Sequence, residues 1–296
     1  MFISSFLSTK LAKFDKYDII KETSTHLKSE DFFMLETTAL KLRRFNIIMG
    51  ILHFVQGILM IFLIPALIVN IAQFQPDIIQ YYLDFNPVTQ SLFVNQRVLF
   101  VLPFAALVGT FLLISAAAHA IISIPKKTFD LYRRDLDQGI NRFRWYEYAL
   151  SSSIMICLIA TLFGIYDIGS LILIFVLNAL MNIFGLFMEK MNSGKEKKKV
   201  NWAPFIYGAI AGITPWIVIF VYMGGINDLS TIPWFVWLIV VTYFVTFNTF
   251  PINMILQYLR IGKWKDYLYG EKVYIVLSLV AKTLLAWLVL FGAMQP

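Results

Sequence analysis

The stretch YIVLSLVAKTLLAWLVLFGA, Tyr274–Ala293, places one lysine inside twenty residues that are otherwise almost entirely apolar. A helix needs about 20 apolar residues to cross the roughly 30 Å hydrocarbon core of a bilayer, so this stretch is long enough to span one. Lys282 lies nine residues after Val273 and eleven before Ala293. At 1.5 Å per residue, that puts it roughly 13 Å from the nearer membrane surface. The stretch therefore predicts a membrane helix with an ionisable group near its centre.

Six further stretches are long and apolar enough to form membrane helices. Apolar residues make up 59% of the 296 residues and charged residues 15%, whereas soluble domains are about 45–50% apolar and about 25% charged. We predict an all-α, multi-pass protein of the cell membrane, a bundle of seven transmembrane helices over residues 45–70, 97–124, 143–166, 170–189, 202–223, 232–258 and 273–293. In the long first connection, Ile78–Tyr82 and Ser91–Val94 are predicted to pair as a small hairpin.

The basic residues lie almost entirely on one side of this alternating topology. Of the 25 Lys and Arg residues, 23 fall in the N-terminal segment or in the second, fourth and sixth connections. Cytoplasmic segments of membrane proteins are enriched in Lys and Arg, so the N-terminus is predicted to be cytoplasmic and the C-terminus extracellular. The net charge of +7 follows from this topology and does not indicate nucleic-acid binding.

Residues 1–44 are predicted to form an N-terminal extension to the membrane domain of residues 45–296. They carry too many charges and too short an apolar run for a secretory signal peptide. Met1–Lys13 and Asp31–Arg44 have the composition of amphipathic helices on the inner leaflet, where lysine is attracted to anionic lipid. A partly disordered tail is the alternative that the sequence leaves open.

Four ionisable side chains lie deep inside the predicted spans: His53, His119, Glu147 and Lys282. Each such group costs at least about 2.5–3.5 kcal/mol at a helix centre, so a functional role is the first hypothesis. Depth alone leaves two interpretations of Lys282 open, a structural ion pair with Glu147 and a covalent imine with an aldehyde. A protonated imine needs a counterion, for which Glu147 is the deep carboxylate available. Arg144, one turn earlier, is predicted to hold that carboxylate ionised from the cytoplasmic side.

Two serines lie one helical turn from this pair. Ser151 is one turn deeper than Glu147, and Ser278 is one turn before Lys282. Both hydroxyls are predicted to face the lysine nitrogen, and helix packing by small residues is the alternative.

Two histidines extend the polar region toward the cytoplasm. His53 and Gln56 lie one turn apart on the first span, and His119 lies near the cytoplasmic end of the second. We predict a polar cavity that they share with Glu147, with separate interhelical hydrogen bonds as the alternative. The outer half of the predicted bundle has no comparable group.

A lysine midway along the seventh span and a carboxylate on the third resemble the arrangement in microbial-type rhodopsins. FNTFPIN, at residues 247–253, resembles the aromatic box with a proline that cradles retinal in that group. Ion pumps of the group have an extracellular N-terminus and a second carboxylate at the position of Ser278. Both departures are typical of heliorhodopsins. RWYEYALSSSIM at 144–155, SLVAK at 278–282 and MNIFGLFMEK at 181–190 resemble that family as well, and the resemblance covers roughly residues 42–296.

The resemblance implies a site for covalently bound retinal. All-trans retinal would form a Schiff base with Lys282, Glu147 would be the single counterion, and Ser151 and Ser278 would tune the Schiff base. The implied pocket residues are Met155, Trp216, Phe247, Phe250 and Pro251, of which Trp216 has a lipid-facing position as its alternative. The implied polar cavity, the region of a proton acceptor, contains His53, Gln56, His119 and Arg144. Family members usually form homodimers, complete a slow photocycle and do not pump ions.

Three functions follow as hypotheses. The first is a light sensor that signals to a cytoplasmic partner. The second is a light-gated proton channel or transporter. The third is a retinal-free receptor or membrane enzyme held by a Lys282–Glu147 ion pair. Since no metal-ligand spacing, nucleophile elbow or phosphate loop occurs in the sequence, we expect neither an enzyme nor a metal site.

Overall fold

The computed structural model describes residues 40–63, 66, 75–226, 228, 232 and 234–293. The chain forms two compact units, residues 1–45 and residues 46–296. In the first unit, residues 40–45 are described and are helical. The predicted amphipathic helix Met1–Lys13 and most of Asp31–Arg44 lie outside the described residues.

Eight helices and one two-stranded sheet make up the described part of the chain. The first helix, α1, covers residues 40–58 and continues as a π-helical segment over Leu59–Leu63. The elements that follow are β1 (Asp77–Asn86), β2 (Ser91–Val101), α2 (Phe104–Ser123), α3 (Lys126–Asp137), α4 (Arg142–Leu162), α5 (Ile168–Asn192), α6 (Ala203–Met223), α7 (Trp234–Tyr258) and α8 (Tyr267–Ala293). Short 3-10 turns occur at Lys197–Lys199 and Gly262–Lys265.

Six helices of the described residues are long and apolar enough to cross a membrane. They cover Leu40–Phe62, Phe104–Ser123, Arg142–Leu162, Ile168–Asn192, Ala203–Met223 and Val236–Tyr258. The predicted multi-pass membrane protein is thereby confirmed. Helix α8 is not among the six, and it carries Glu271, Lys272 and Lys282, so a seventh span stays a prediction.

The predicted hairpin is present and is longer than the sequence suggested. Strands β1 and β2 pair antiparallel from Asp77 opposite Val101 to Asn86 opposite Ser91. The prediction that the second span begins at residue 97 is therefore wrong, because residues 97–101 belong to β2 and α2 begins only after Pro103. The residues of β2 before α2 are as apolar as those of a membrane helix, so composition alone does not separate the two elements.

The hairpin is tied to one end of the helical bundle. The Ile79 backbone N–H donates to the Tyr166 carbonyl at 3.0 Å, and Ile79 forms a parallel bridge with Asp167 at the start of α5. We call this the hairpin end. The opposite end carries α3 and the two connections 193–202 and 259–266, and we call it the basic end.

Helix α3 was not predicted. Its buried residues Phe129, Tyr132 and Leu136 follow at spacings of three and four, which is the pattern of a helix with one apolar face. The helix is short and strongly charged, so it lacks the run of about 20 apolar residues that marks a membrane span.

Apolar side chains fill the bundle on both sides of Lys282. Toward the hairpin end, a large cluster includes Met155, Trp216, Tyr243 and Leu285. Toward the basic end, a smaller cluster includes Trp145, Tyr148, Met254 and Tyr274. Among the closest helix neighbours are α4 with α5, α5 with α6, α7 with α8 and α2 with α4.

Candidate functional site

Lys282 forms a buried ion pair with Glu147. The Lys282 Nζ atom lies 2.5 Å from Glu147 Oε1, and the two side chains are 4% and 8% exposed. Lys282 Nζ also donates to Ser115 Oγ at 2.5 Å, and Ser115 Oγ donates to Glu147 Oε1 at 2.6 Å. Buried charges persist when they are paired and hydrogen-bonded. This triad, from α2, α4 and α8, meets both conditions.

The start of α4 fixes the position of Glu147. Asn141 caps the helix, since its side-chain oxygen accepts a hydrogen bond from the Arg144 backbone N–H at 3.0 Å. Glu147 follows within the second turn and points toward α2 and α8. The Tyr148 ring beside it lies 5.2 Å from Lys282 Nζ and covers the ammonium group.

Ser115 was missed in the sequence, although a signal for it was present. It lies four residues before His119, and residues four apart share one face of a helix. A helix that brings His119 to the site therefore also brings Ser115 there, one turn deeper.

The two predicted serines occupy the surroundings of the ion pair. Ser151 is fully buried and lies near enough to interact with Glu147, yet its hydroxyl has no direct hydrogen-bond partner among the described residues. Ser278 is buried and approaches the Tyr148 hydroxyl. The hydroxyl bonded to Lys282 is that of Ser115.

His53 and His119 lie together toward the basic end. Their rings stack with centroids 5.7 Å apart and planes 15° apart. His119 Nδ1 is 2.8 Å from Asn46 Oδ1, whereas neither ring nitrogen of His53 has a hydrogen-bond partner among the described residues. The Gln56 amide donates a hydrogen bond to the Leu52 carbonyl on its own helix and not to either histidine.

A small cavity of about 40 Å³, lined by polar and apolar side chains, lies next to the ion pair and has room for a few water molecules. It joins the counterion region to groups nearer the basic end. Its polar lining residues are Asn46, Ser115, His119, Asn141, Arg144, Glu147, Tyr148, Glu271 and Ser278. His53 reaches this region through its stack on His119.

Arg144 pairs with two other carboxylates, so the prediction that it holds Glu147 is wrong. Its guanidinium forms ion pairs with Glu189 of α5 and Glu271 of α8. One turn of helix separates Arg144 from Glu147 in the chain, but the guanidinium points away from Glu147 toward these partners. Spacing along one helix does not reveal the carboxylates that two other helices bring to the same place.

The two carboxylates of this arginine cluster accept further hydrogen bonds, whereas the buried Arg144 Nε has no hydrogen-bond partner among the described residues. Glu189 Oε2 accepts from the Asn141 backbone N–H at 2.8 Å and from Trp145 Nε1 at 2.6 Å. The Asn141 amide donates to Glu271 Oε1 at 2.5 Å. The guanidinium carbon also lies 4.0 Å from the centroid of the Tyr274 ring. The cluster joins α4, α5 and α8 at the basic end.

A second, larger cavity of about 570 Å³ has Lys282 in its wall. Its volume is within the roughly 300–1,000 Å³ typical of small-molecule sites, and its walls are mostly apolar and aromatic. Trp216 is 3% exposed and faces this cavity rather than lipid. The predicted residues Met155, Trp216, Phe247, Phe250, Pro251 and Lys282 all line it.

Two glycines, one on α5 and one on α6, leave room for large side chains in the wall of this cavity. A Cβ atom at Gly185 would collide with the Trp145 ring, and one at Gly212 would collide with the Met181 side chain. All four residues line the cavity.

A model of the heliorhodopsin family matches residues 42–294 of the chain. The chain belongs to the heliorhodopsin family. Heliorhodopsins are light-sensing membrane proteins that bind retinal through a Schiff base, so the resemblance predicted from the helix motifs is confirmed. No curated protein matches the chain.

The residues of this heliorhodopsin fit a retinal group. A buried primary amine lies in the wall of a large, mostly apolar cavity, and a carboxylate lies beside that amine to balance its positive charge. The cavity walls carry the aromatic side chains that a polyene packs against. Among the described residues, no group of three or more His, Cys, Asp or Glu is arranged to hold a metal ion.

Proposed function

We propose that this heliorhodopsin is a light sensor with a slow photocycle that pumps no ions. In this proposal Lys282 carries all-trans retinal and Glu147 is its single counterion. The observation that carries the proposal is the buried Lys282–Glu147 pair, whose lysine lines the 570 Å³ apolar cavity. The second carboxylate that pumps carry one turn before the lysine is replaced by Ser278.

Helix α8 is the seventh membrane span in this proposal. It packs against α7 and α2, and its residues after Lys272 are apolar apart from Lys282 and a few small polar groups. The basic end then faces the cytoplasm, in agreement with the charge distribution.

Each residue of the site has a role that follows from its position. Retinal supplies a polyene that absorbs visible light and changes shape when it isomerises. Lys282 provides the attachment amine, and Glu147 balances the positive charge there. Ser115 orients both groups through its two hydrogen bonds. The aromatic rings of Trp216 and Phe247 pack together, with centroids 6.1 Å apart, and keep water out of the cavity.

The asymmetry of the bundle argues against pumping. A pump needs polar groups on both sides of the retinal attachment point. Toward the basic end, the small cavity supplies His119, Arg144 and Glu271. Toward the hairpin end, Lys282 is followed by the buried apolar residues Leu285 and Ala286. A light-gated proton channel is the alternative function, and it requires light to open this apolar layer.

Two partners are part of the proposal on the strength of the family resemblance. One is a second copy of the chain, as a homodimer in the membrane. The other is a cytoplasmic signalling partner, for which residues 1–44 are the candidate contact region.

Voltage-clamp recording under illumination tests the function. Cells that express the protein and are supplied with all-trans retinal should show no light-dependent current at any holding potential. Cells that express Lys282→Ala provide the light-insensitive baseline. A sustained current that reverses with the proton gradient would establish the channel, and a current at zero driving force would establish a pump.

A further inference from the structure

Two connections at the basic end present a dense group of exposed cations. Residues 195–202 and 260–266 together contain seven basic side chains and two acidic ones. The seven are Lys195, Lys197, Lys198, Lys199, Arg260, Lys263 and Lys265, and all are exposed. We call these seven residues the basic corner. The retinal site and the Arg144 cluster use none of them.

Hydrogen bonds hold the first connection in a fixed shape. The Asn192 side chain bonds to Asn201 twice, donating to its carbonyl at 2.9 Å and accepting from its N–H at 2.7 Å. The Ser193 hydroxyl donates to the Gln138 carbonyl at the end of α3 at 2.7 Å. The lysines between these anchors therefore project from an ordered backbone.

Arg260 links the two connections. Its Nη2 donates to the Lys195 carbonyl at 3.0 Å. Arg260 has a φ of 50°, in the left-handed region that residues other than glycine and asparagine rarely adopt. This unfavourable backbone conformation places the guanidinium against the neighbouring connection. The basic corner is therefore one assembled surface.

Aromatic residues locate the corner at the membrane boundary. Trp264 Nε1 donates to Asn253 Oδ1 at 2.6 Å, and Trp202 packs on Phe205 with ring centroids 5.7 Å apart. Tryptophan concentrates at the level of lipid headgroups. Just inside this level, Ile206 and Tyr207 are 53% and 56% exposed on the first turn of α6. The basic corner therefore lies beside an apolar surface of α6. A phospholipid needs both, since its headgroup is charged and its acyl chains are apolar.

We propose that the basic corner binds the headgroup of an anionic phospholipid, whose acyl chains lie along α6. The cations neutralise the phosphate and any further headgroup charge, and the exposed apolar side chains of α6 contact the chains. A soluble acidic protein would use the cations but not the apolar surface next to them, so the lipid is the better match. The proposal does not depend on retinal binding.

Native mass spectrometry of the detergent-purified protein tests this. Phosphatidylglycerol and phosphatidylcholine are titrated separately, and bound lipids are counted. Wild type should bind phosphatidylglycerol more tightly. The variant Lys197→Gln/Lys198→Gln/Lys265→Gln should lose that preference by more than tenfold, because each lysine near an anionic surface contributes about fivefold. The matched control Lys126→Gln/Lys127→Gln/Arg134→Gln removes equal charge from α3 and should bind as wild type does.

A second pair of variants tests whether binding depends on the geometry of the basic corner or only on its charge. Arg260→Gln removes the link to Lys195, whereas Lys263→Gln removes the same charge without breaking a link between the connections. Arg260→Gln should weaken phosphatidylglycerol binding more. All variants should keep the wild-type unfolding temperature, which shows that they fold.

Three results would overturn the proposal. They are unchanged phosphatidylglycerol binding in the corner variant, an equal loss in the α3 control, and full competition by glycerol 3-phosphate or a polyglutamate peptide. The last would assign the corner to a soluble anion.

Discussion

At the scale of single residues, the triad of Lys282, Glu147 and Ser115 sets the electrostatics at the attachment point. A hydrogen bond to a charged group stabilises that group by about 1.5–3 kcal/mol, so removing the bond destabilises the charge. Ser115 bonds directly to both charged groups, whereas the Ser151 hydroxyl has no direct partner among the described residues. The two serines therefore form a matched pair for substitution.

Visible absorption of retinal-loaded variants should rank these residues. Glu147→Gln should displace the absorption band most, because it removes the counter-charge. Ser115→Ala should displace it by a smaller amount, and Ser151→Ala least. Glu196→Gln, on an exposed carboxylate, is the control and should leave the band in place. A larger displacement in Ser151→Ala than in Ser115→Ala would contradict the assignment.

The sequence was informative about residues on one helix and uninformative about contacts between helices. Depth along a span predicted Lys282 and Glu147 as a pair, since both are costly unless compensated. The spacing of Arg144 from Glu147 suggested a contact that does not exist, because Glu189 and Glu271 come from helices 45 and 127 residues away. Glu271 precedes Lys282 by three helical turns and therefore lies on the same face of α8, a relation that is present in the sequence spacing.

At the scale of helices, the ion pairs of the Arg144 cluster connect α4 to α5 and α8. Removing one partner from a buried ion pair costs about 3–5 kcal/mol, because the other charges stay buried without compensation. Arg144→Gln should therefore lower the stability of the folded protein by about that amount. Denaturant unfolding of the detergent-purified protein measures the change.

Arg134→Gln is the control for this change, since Arg134 is exposed on α3 and should contribute no measurable stability. If Arg144→Gln unfolded at the same denaturant concentration as this control, the cluster would not be holding the helices together.

Element boundaries followed from the sequence where a cap or proline marks them. Asn141 and Asp167 cap α4 and α5 through their side chains, and both helices begin within two residues of the predicted start. The predicted first residue of the second span was wrong because strand β2 is as apolar as a membrane span. Hydropathy reports how apolar a segment is, but it does not show that residues 97–101 pair with β1 and so form a strand.

At the scale of the whole molecule, the two ends of the bundle should face opposite sides of the membrane. Val88, in the hairpin turn, is 90% exposed, and Lys265 is exposed at the basic end. Single cysteines at these positions should react with a membrane-impermeant thiol reagent. In intact cells Val88→Cys should label, and Lys265→Cys should label only after the cells are opened. Cys157 is the background thiol, and a Cys157→Ser chain removes it.

Labelling of both positions from the same side would contradict the proposed topology. The charge count predicts the orientation because Lys and Arg are retained in the cytoplasm during insertion. It does not predict the hairpin, whose only basic residue is Arg97. Composition thus determined the class of protein and its expected orientation, while the cavities depended on how helices distant in sequence pack.

Chemical trapping shows whether retinal is attached to Lys282. The protein is incubated with all-trans retinal, reduced with borohydride to fix the Schiff base as a stable amine, digested and mapped by mass spectrometry. We predict one retinyl group, on the peptide that contains Lys282, and no such group in Lys282→Ala. A retinyl group on another lysine, or none in the wild-type protein, would contradict the claim.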